Sequence, residues 1–201
     1  MRLRRSASLA AIALVVPLAA TAASQNVADL RSGHYVLDPR HSSLIARVSH
    51  MGVSLYTLRF DALSATFDYD AAHPQAAKVQ ASVDPASLDV GADYSKAFAQ
   101  EFLSVDKFPA ATFVSTDVHE GAGDAGTMTG DLTLMGVTRP VTFDVTFVGA
   151  GHEPLPLPFG QEAAGFTAVA TIKRSDFGSV FLSNFVGDDV TLEIDAEFDR
   201  K

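Results

Sequence analysis

The sequence contains no cysteine. Disulfides, thiol chemistry and cysteine metal sites are thereby excluded, and the fold must hold by sheet closure and packing. Basic residues are scarce: 15 Lys and Arg stand against 24 Asp and Glu, a formal charge of −9. An acidic surface repels nucleic acid and anionic headgroups, so neither is expected as a partner. The apolar run at residues 9–20 is interrupted only by Pro17. As a helix it reaches about 18 Å, short of the roughly 30 Å hydrocarbon core, so stable membrane insertion is not expected. There is no G-x-S-x-G elbow, no Gly-rich phosphate loop and no carboxylate pair that spacing singles out. No enzyme and no catalytic residue are therefore expected. The six histidines show neither H-x-H nor H-x-x-x-H spacing, so neither a metal site nor a cofactor is expected.

What is present begins with a leader. Arg2, Arg4 and Arg5 precede the apolar run, and Thr21-Ala22-Ala23 supplies small residues after it. That order predicts a secretory signal peptide over residues 1–23, cleaved near Ala22 or Ala23, and export of the mature chain. The Arg4-Arg5 pair leaves the choice between the general and the twin-arginine export routes open. Residues 24–201 then form a single domain, long enough to bury a core without staples. Loss of the leader arginines leaves 12 basic against 24 acidic residues, near −12.

Past the leader the dominant period is two. Val190, Leu192, Ile194, Ala196 and Phe198 alternate with Thr191, Glu193, Asp195, Glu197 and Asp199. Val141, Phe143, Val145 and Phe147 do the same, as do Phe166, Ala168, Ala170 and Ile172, with Val169 the exception. Val79, Ala81 and Val83 alternate with Lys78, Gln80, Ser82 and Asp84. Each such run is a strand with one dry face and one wet face. Noisier strand-like runs lie at 35–37, 43–49, 57–69, 111–119 and 126–135, separated by turn signals such as Asp38-Pro39 and Asp84-Pro85. Between Gly91 and Phe108 the period changes. Tyr94, Ala97, Phe98 and Phe102 fall at helical spacing, which predicts one short helix near 91–104. Residues 154–159 hold three prolines and predict an extended loop. Regular strands of this kind close most economically as an all-β, eight-stranded antiparallel barrel, because closure removes exposed edges. Eight strands leave an interior that is either filled or holds one small ligand, and the residues leave that choice open.

Several ordered motifs resemble the YceI-like family. Tyr35-Val36-Leu37-Asp38-Pro39-Arg40-His41-Ser42-Ser43 opens the series. His50, Phe102-Leu103-Ser104-Val105-Asp106-Lys107-Phe108-Pro109 and Gly130-Asp131-Leu132-Thr133-Leu134-Met135-Gly136 follow in order. Gly165-Phe166-Thr167-Ala168 and Ile172-Lys173-Arg174-Ser175-Asp176-Phe177-Gly178 close it. The resemblance implies an extended, lipocalin-like barrel exported to the periplasm. It also implies a polyisoprenoid lipid held inside, either a prenyl quinone or a polyprenyl phosphate, for storage or transport. Two departures stand out. Tyr94-Ser95-Lys96-Ala97 lacks the histidine that relatives often carry there, and Leu58 stands where a glycine is usual.

On that reading the strands contribute Phe60, Val79, Ala81, Val83, Phe113, Leu132, Leu134, Phe143 and Phe166 to the ligand wall. The helix adds Phe98 and Phe102, and the turn after Ile172 adds Phe177. His41, His50 and Arg174 would face a polar head group, although His41 suits equally well a turn into the first strand. Asp176 would pair with Arg174 or cap the turn into Phe177-Gly178. The alternative is a filled, ligand-free barrel acting through its outer surface as a stress-related interaction or inhibitor module. A homodimer is compatible with either reading.

Overall fold

A computed structural model describes residues 23–152 and 161–201; the expected leader, apart from Ala23, and the expected proline-rich loop lie outside the described residues. The described residues form eleven strand segments and one α-helix. The segments are β1 (Gly33–Leu37), β2 (Ser43–His50), β3 (Ser54–Phe60), β4 (Leu63–Tyr69), β5 (Lys78–Val83) and β6 (Leu88–Asp89). The helix α1 (Ser95–Leu103) follows, then β7 (Ala111–Glu120), β8 (Ala125–Leu134), β9 (Val137–His152), β10 (Glu162–Lys173) and β11 (Val186–Arg200).

All pairings are antiparallel, and β1, β4, β5, β7, β8, β9, β10 and β11 close in a ring through β1 against β11. β2, β3 and β6 continue the same staves upward. β2 pairs the upper part of β11, β3 pairs β2, and β6 pairs β3. The eight staves of the barrel therefore include three long strands, each broken once: β1 with β2, β3 with β4, and β5 with β6. The first and third breaks fall at Asp-Pro. Proline cannot donate to a ladder, and in each case the aspartate takes over the turn. Asp38 accepts from the Arg40 amide at 2.9 Å, and Asp84 accepts from the Ala86 amide at 2.8 Å.

Alternation explains the faces. Leu192, Ile194, Ala196 and Phe198 point into the barrel, and Val169, the apparent exception, sits on the outer surface of β10. The extra residue Val148 bulges from β9 opposite Gly165–Phe166, which switches the phase of β9 and turns Ala150 inward against Ala164, itself in phase with Phe166 on β10. Two buried clusters result. The lower one joins Leu30, Tyr35, Phe67, Phe147, Ala164 and Phe198. Phe67 is its hub, with ring centroids of Tyr35, Tyr69, Phe166 and Phe198 at 5.5–5.9 Å. Such pairs contribute about 0.5–1.5 kcal/mol each beyond area burial. Tyr35 is buried to 2% exposure and its hydroxyl donates to the Arg31 carbonyl at 2.7 Å, so its polar tip is satisfied. The upper cluster joins Phe113, Val141, Phe143, Ala168, Ala170, Ile172 and Phe177.

The helix is shorter than the spacing predicts. Gly91 at φ +71° and a turn at 92–94 precede it, and Ser104 in the left-handed region ends it, its amide bonded to the Gln100 carbonyl. Ala97 faces solvent and Ala99 is buried instead. The helix packs on β6 and on the turn at 85–87. It thus fills the place where β6, paired only to β3, separates from β7.

Candidate functional site

The barrel encloses a chamber of about 740 Å³, within the range of roughly 300–1,000 Å³ typical of small-molecule sites. Its wall is overwhelmingly apolar. Ala46, Ala65, Ala81, Ala168 and Ala196 each present only a methyl group to it. Phe60, Phe113, Phe143 and Phe166 stand among them, with Val79, Val83, Leu132 and Leu134. From α1, Phe98 and Phe102 roof the upper end, their rings 5.5 Å apart. Of the expected wall residues only Phe177 lies elsewhere. It belongs to a single 3-10 turn rather than to a strand face, and it is buried among Phe143, Ile172 and their neighbours.

The three expected head-group residues are placed differently from one another. His50, at the end of β2, lies on the chamber wall. His41 does not. Its Nδ1 sits 2.9 Å from the Asp38 carboxylate and 3.6 Å from Glu197, and the ring is half exposed on the outside. Arg40 also bonds Asp38, through Nε at 3.0 Å and Nη2 at 2.8 Å. These bonds, above all the one from the Arg40 side chain, hold the Asp38 carboxyl well below the usual carboxylate range. Asp38, His41 and Glu197 lie close enough to offer three ligand atoms to a cation. Asp38 is already held by Arg40, however, so the trio is better described as an ion-pair network.

Arg174 reaches the wall, but its donors are committed. It is 7% exposed, and Nε donates to the Gly187 carbonyl at 2.9 Å. Nη1 donates to the carbonyls of Ser179 at 2.8 Å and Phe181 at 2.9 Å, and Nη2 donates to Val186 at 3.0 Å. Four of the five guanidinium N–H bonds are thus used on backbone, and none goes to Asp176. Asp188 holds the turn instead, accepting from the amide and hydroxyl of Ser175.

Of the two tyrosines nearest the upper end, Tyr94 belongs to the helical spacing that begins at residue 94, and Tyr56 lies outside the expected strand runs. The hydroxyls of Tyr56 and Tyr94 are 3.4 Å apart, and the His50 ring is 6.0 Å from that of Tyr56. The Tyr94 hydroxyl beside it, with some desolvation, pushes the Tyr56 hydroxyl up to about 12. Tyr56 therefore stays a neutral donor and acceptor at any physiological pH. Its position was legible in principle, because Tyr56, Leu58 and Phe60 alternate along β3 and all three line the chamber. At the opposite end the β7–β8 turn contributes His119, Glu120 and Asp124. Among the described residues no side-chain hydrogen bond joins a serine or threonine hydroxyl to a histidine, the pairing that a hydroxyl nucleophile uses.

Fold and chamber together define a class: a closed antiparallel barrel built around an apolar calyx. Residues 35–198 match the YceI-like domain, and the chain belongs to the YceI-like family. A UPF0312 protein of Shewanella baltica is 38% identical over 183 residues, covering 89% of this chain and 88% of that protein. The crystal structure of BcnA from Burkholderia cenocepacia is 28% identical. It superposes with a TM-score of 0.69 over 80% of this chain and 98% of BcnA. A polyisoprenoid binding domain from Saccharophagus degradans, implicated in plant cell wall breakdown, covers 85% of this chain and all of its own, with a TM-score of 0.62. At 16% identity that last likeness concerns the fold alone.

Proposed function

We propose that this chain is a periplasmic lipid-binding protein that holds one polyisoprenoid chain, of a prenyl quinone or a polyprenyl phosphate, inside its barrel for storage or transport. The observation that carries this reading is the 740 Å³ chamber with its nearly unbroken apolar wall. The polyisoprenoid binding described for the Saccharophagus degradans domain, which shares the fold, supports the choice of ligand class. A prenyl chain offers repeated methyl branches and no hydrogen-bonding groups, so it asks of a wall only area and width. The filled-barrel alternative needs an interior too small for a chain lipid, and the chamber weighs against it.

Organic extraction and native mass spectrometry of protein purified from the periplasm test the reading. The expected result is one prenyl-chain lipid per polypeptide. A barrel that is empty in repeated preparations, and that stays empty when offered a long-chain prenyl quinone or a polyprenyl phosphate in detergent, overturns it.

A further inference from the structure

The upper end of the barrel carries an apolar surface that the chamber does not account for. On the β2–β3 hairpin Met51, Val53 and Leu55 are exposed, Val53 to 83%. On the segment between the Arg174 turn and β11, Val180, Phe181, Leu182 and Phe185 are exposed as well. The two stretches form one patch, because the Met51 amide donates to the Phe185 carbonyl at 2.7 Å and His50 pairs with Val186. The patch is also fixed in shape. Arg174 binds the carbonyls of Ser179, Phe181 and Val186, and Ser179 Oγ donates to the Phe102 carbonyl of the helix at 2.7 Å. A contiguous exposed apolar surface of this kind marks an interaction site rather than ordinary surface.

We infer that this rim is where the protein docks on a lipid bilayer with neutral or zwitterionic headgroups. Three features select that occupant. First, Leu182, Phe185 and the half-exposed Tyr94 belong both to the outer patch and to the chamber wall. The apolar surface therefore runs unbroken from outside to inside. Second, residues 51–55 and 179–187 contain no charged side chain, in a chain of net charge −9. The patch thus has no cation with which to seek anionic lipid, and its affinity must come from apolar area. Third, three of its side chains are aromatic: the Tyr94 ring suits the headgroup level, and Phe181 and Phe185 suit the apolar face that interfacial proteins bury at the headgroup–acyl boundary. The step from docking to cargo exchange rests on the lipid-carrier reading; docking itself does not.

Flotation with vesicles of phosphatidylcholine free of any prenyl lipid tests the docking alone. The expected result is that the protein floats with the vesicles and that added salt leaves the bound fraction unchanged. Val53→Asp and Val180→Asp, at exposed positions off the chamber wall, are expected to weaken flotation by about tenfold or more each. The prenyl lipid recovered by extraction, and the circular dichroism spectrum, stay as in the parent. No flotation, or flotation that these substitutions leave intact, overturns the proposal. Binding that appears only when phosphatidylglycerol is included overturns it too. So does sedimentation showing a dimer that Val53→Asp dissociates, since the patch would then serve a second copy of the chain. If the vesicles bind but no lipid is ever recovered from the barrel, docking stands and the cargo reading falls.

Discussion

Replacing Arg174 by methionine separates two roles for the side chain, a clamp on backbone carbonyls and a head-group contact. Methionine keeps much of the stem's length and apolar character while removing the guanidinium. Four hydrogen bonds of 2.8–3.0 Å are lost, to the carbonyls of Ser179, Phe181, Val186 and Gly187. A bond from a charged donor contributes about 1.5–3 kcal/mol, so simple addition gives roughly 6–12 kcal/mol. That sum is a ceiling. The segment from 180 to 185 is open on its outer side, so some freed carbonyls recover water once it loosens. Orphaned carbonyls cost about 1–3 kcal/mol each, and with two of the four rehydrated the expected loss is about 2–6 kcal/mol. For a chain of this size that lowers the unfolding midpoint by roughly 4–24 °C. Arg174→Lys should lose nearly as much, because a single ammonium cannot reproduce the fork that reaches four carbonyls. Urea unfolding supplies the free energy, and amide exchange over 179–187 shows whether the loosening is local. A loss below about 1 kcal/mol, accompanied by loss of extractable lipid, would refute the reasoning and make Arg174 a head-group contact.

Two further substitutions probe the chamber and the outer network. Ala81 lies between Ala65 and Phe113 in register and faces the chamber. In a filled core Ala81→Phe would cost about 1–3 kcal/mol; here the ring enters open space, so urea unfolding should move little while lipid recovered by extraction falls. Strong destabilisation with unchanged lipid would mean that the interior is full. The Arg40 hydrogen bond chiefly depresses the Asp38 carboxyl in the folded state. Its stabilisation is therefore present above the unfolded carboxyl value of about 4 and fades as the pH falls below it. Asp38→Asn should destabilise at neutral pH, and the gap to the parent should narrow on acidification below about pH 4. A gap in urea midpoint that is constant down to pH 2.5 would contradict the assignment.

The parts of the fold that spacing reveals are those in which one strand face alone meets the interior. β9, β10 and β11 alternate over 141–147, 166–173 and 190–199 within strands of 12 to 16 residues, and that period needs no knowledge of partners. The broken staves were harder to see. β3 and β4 read as one noisy run because Asp61 and Ala62 interrupt the ladder without proline or glycine, and Tyr56 falls outside the run at 57–69 because β3 begins three residues earlier, at Ser54. Phe177 has the composition of a wall residue, yet its place in a 3-10 turn frees it from the strand period. The polar positions depend on partners remote in sequence. His41 is held between Asp38 and Glu197, and Arg174 by carbonyls up to 13 residues away. No local pattern distinguishes such a committed cation from one that faces a ligand.

That the chamber stays open follows from where the large side chains are placed. The width of an eight-stranded barrel is set by strand number and stagger, not by what fills it. Here many rings crowd the ends, Tyr35, Phe67, Phe147 and Phe198 below and Phe98 and Phe102 above, while Phe60, Phe113, Phe143 and Phe166 stand along the wall. Between them alanines of β4, β5, β10 and β11 leave volume that the hydrogen-bonded ladder cannot contract to remove. Wall atoms facing a void lose dispersion contacts, and an apolar occupant restores them. Cargo that binds only the folded barrel then raises its stability in proportion to the logarithm of its concentration over its dissociation constant. On the lipid-carrier reading, the same alanines that weaken the empty barrel would couple its stability to its load.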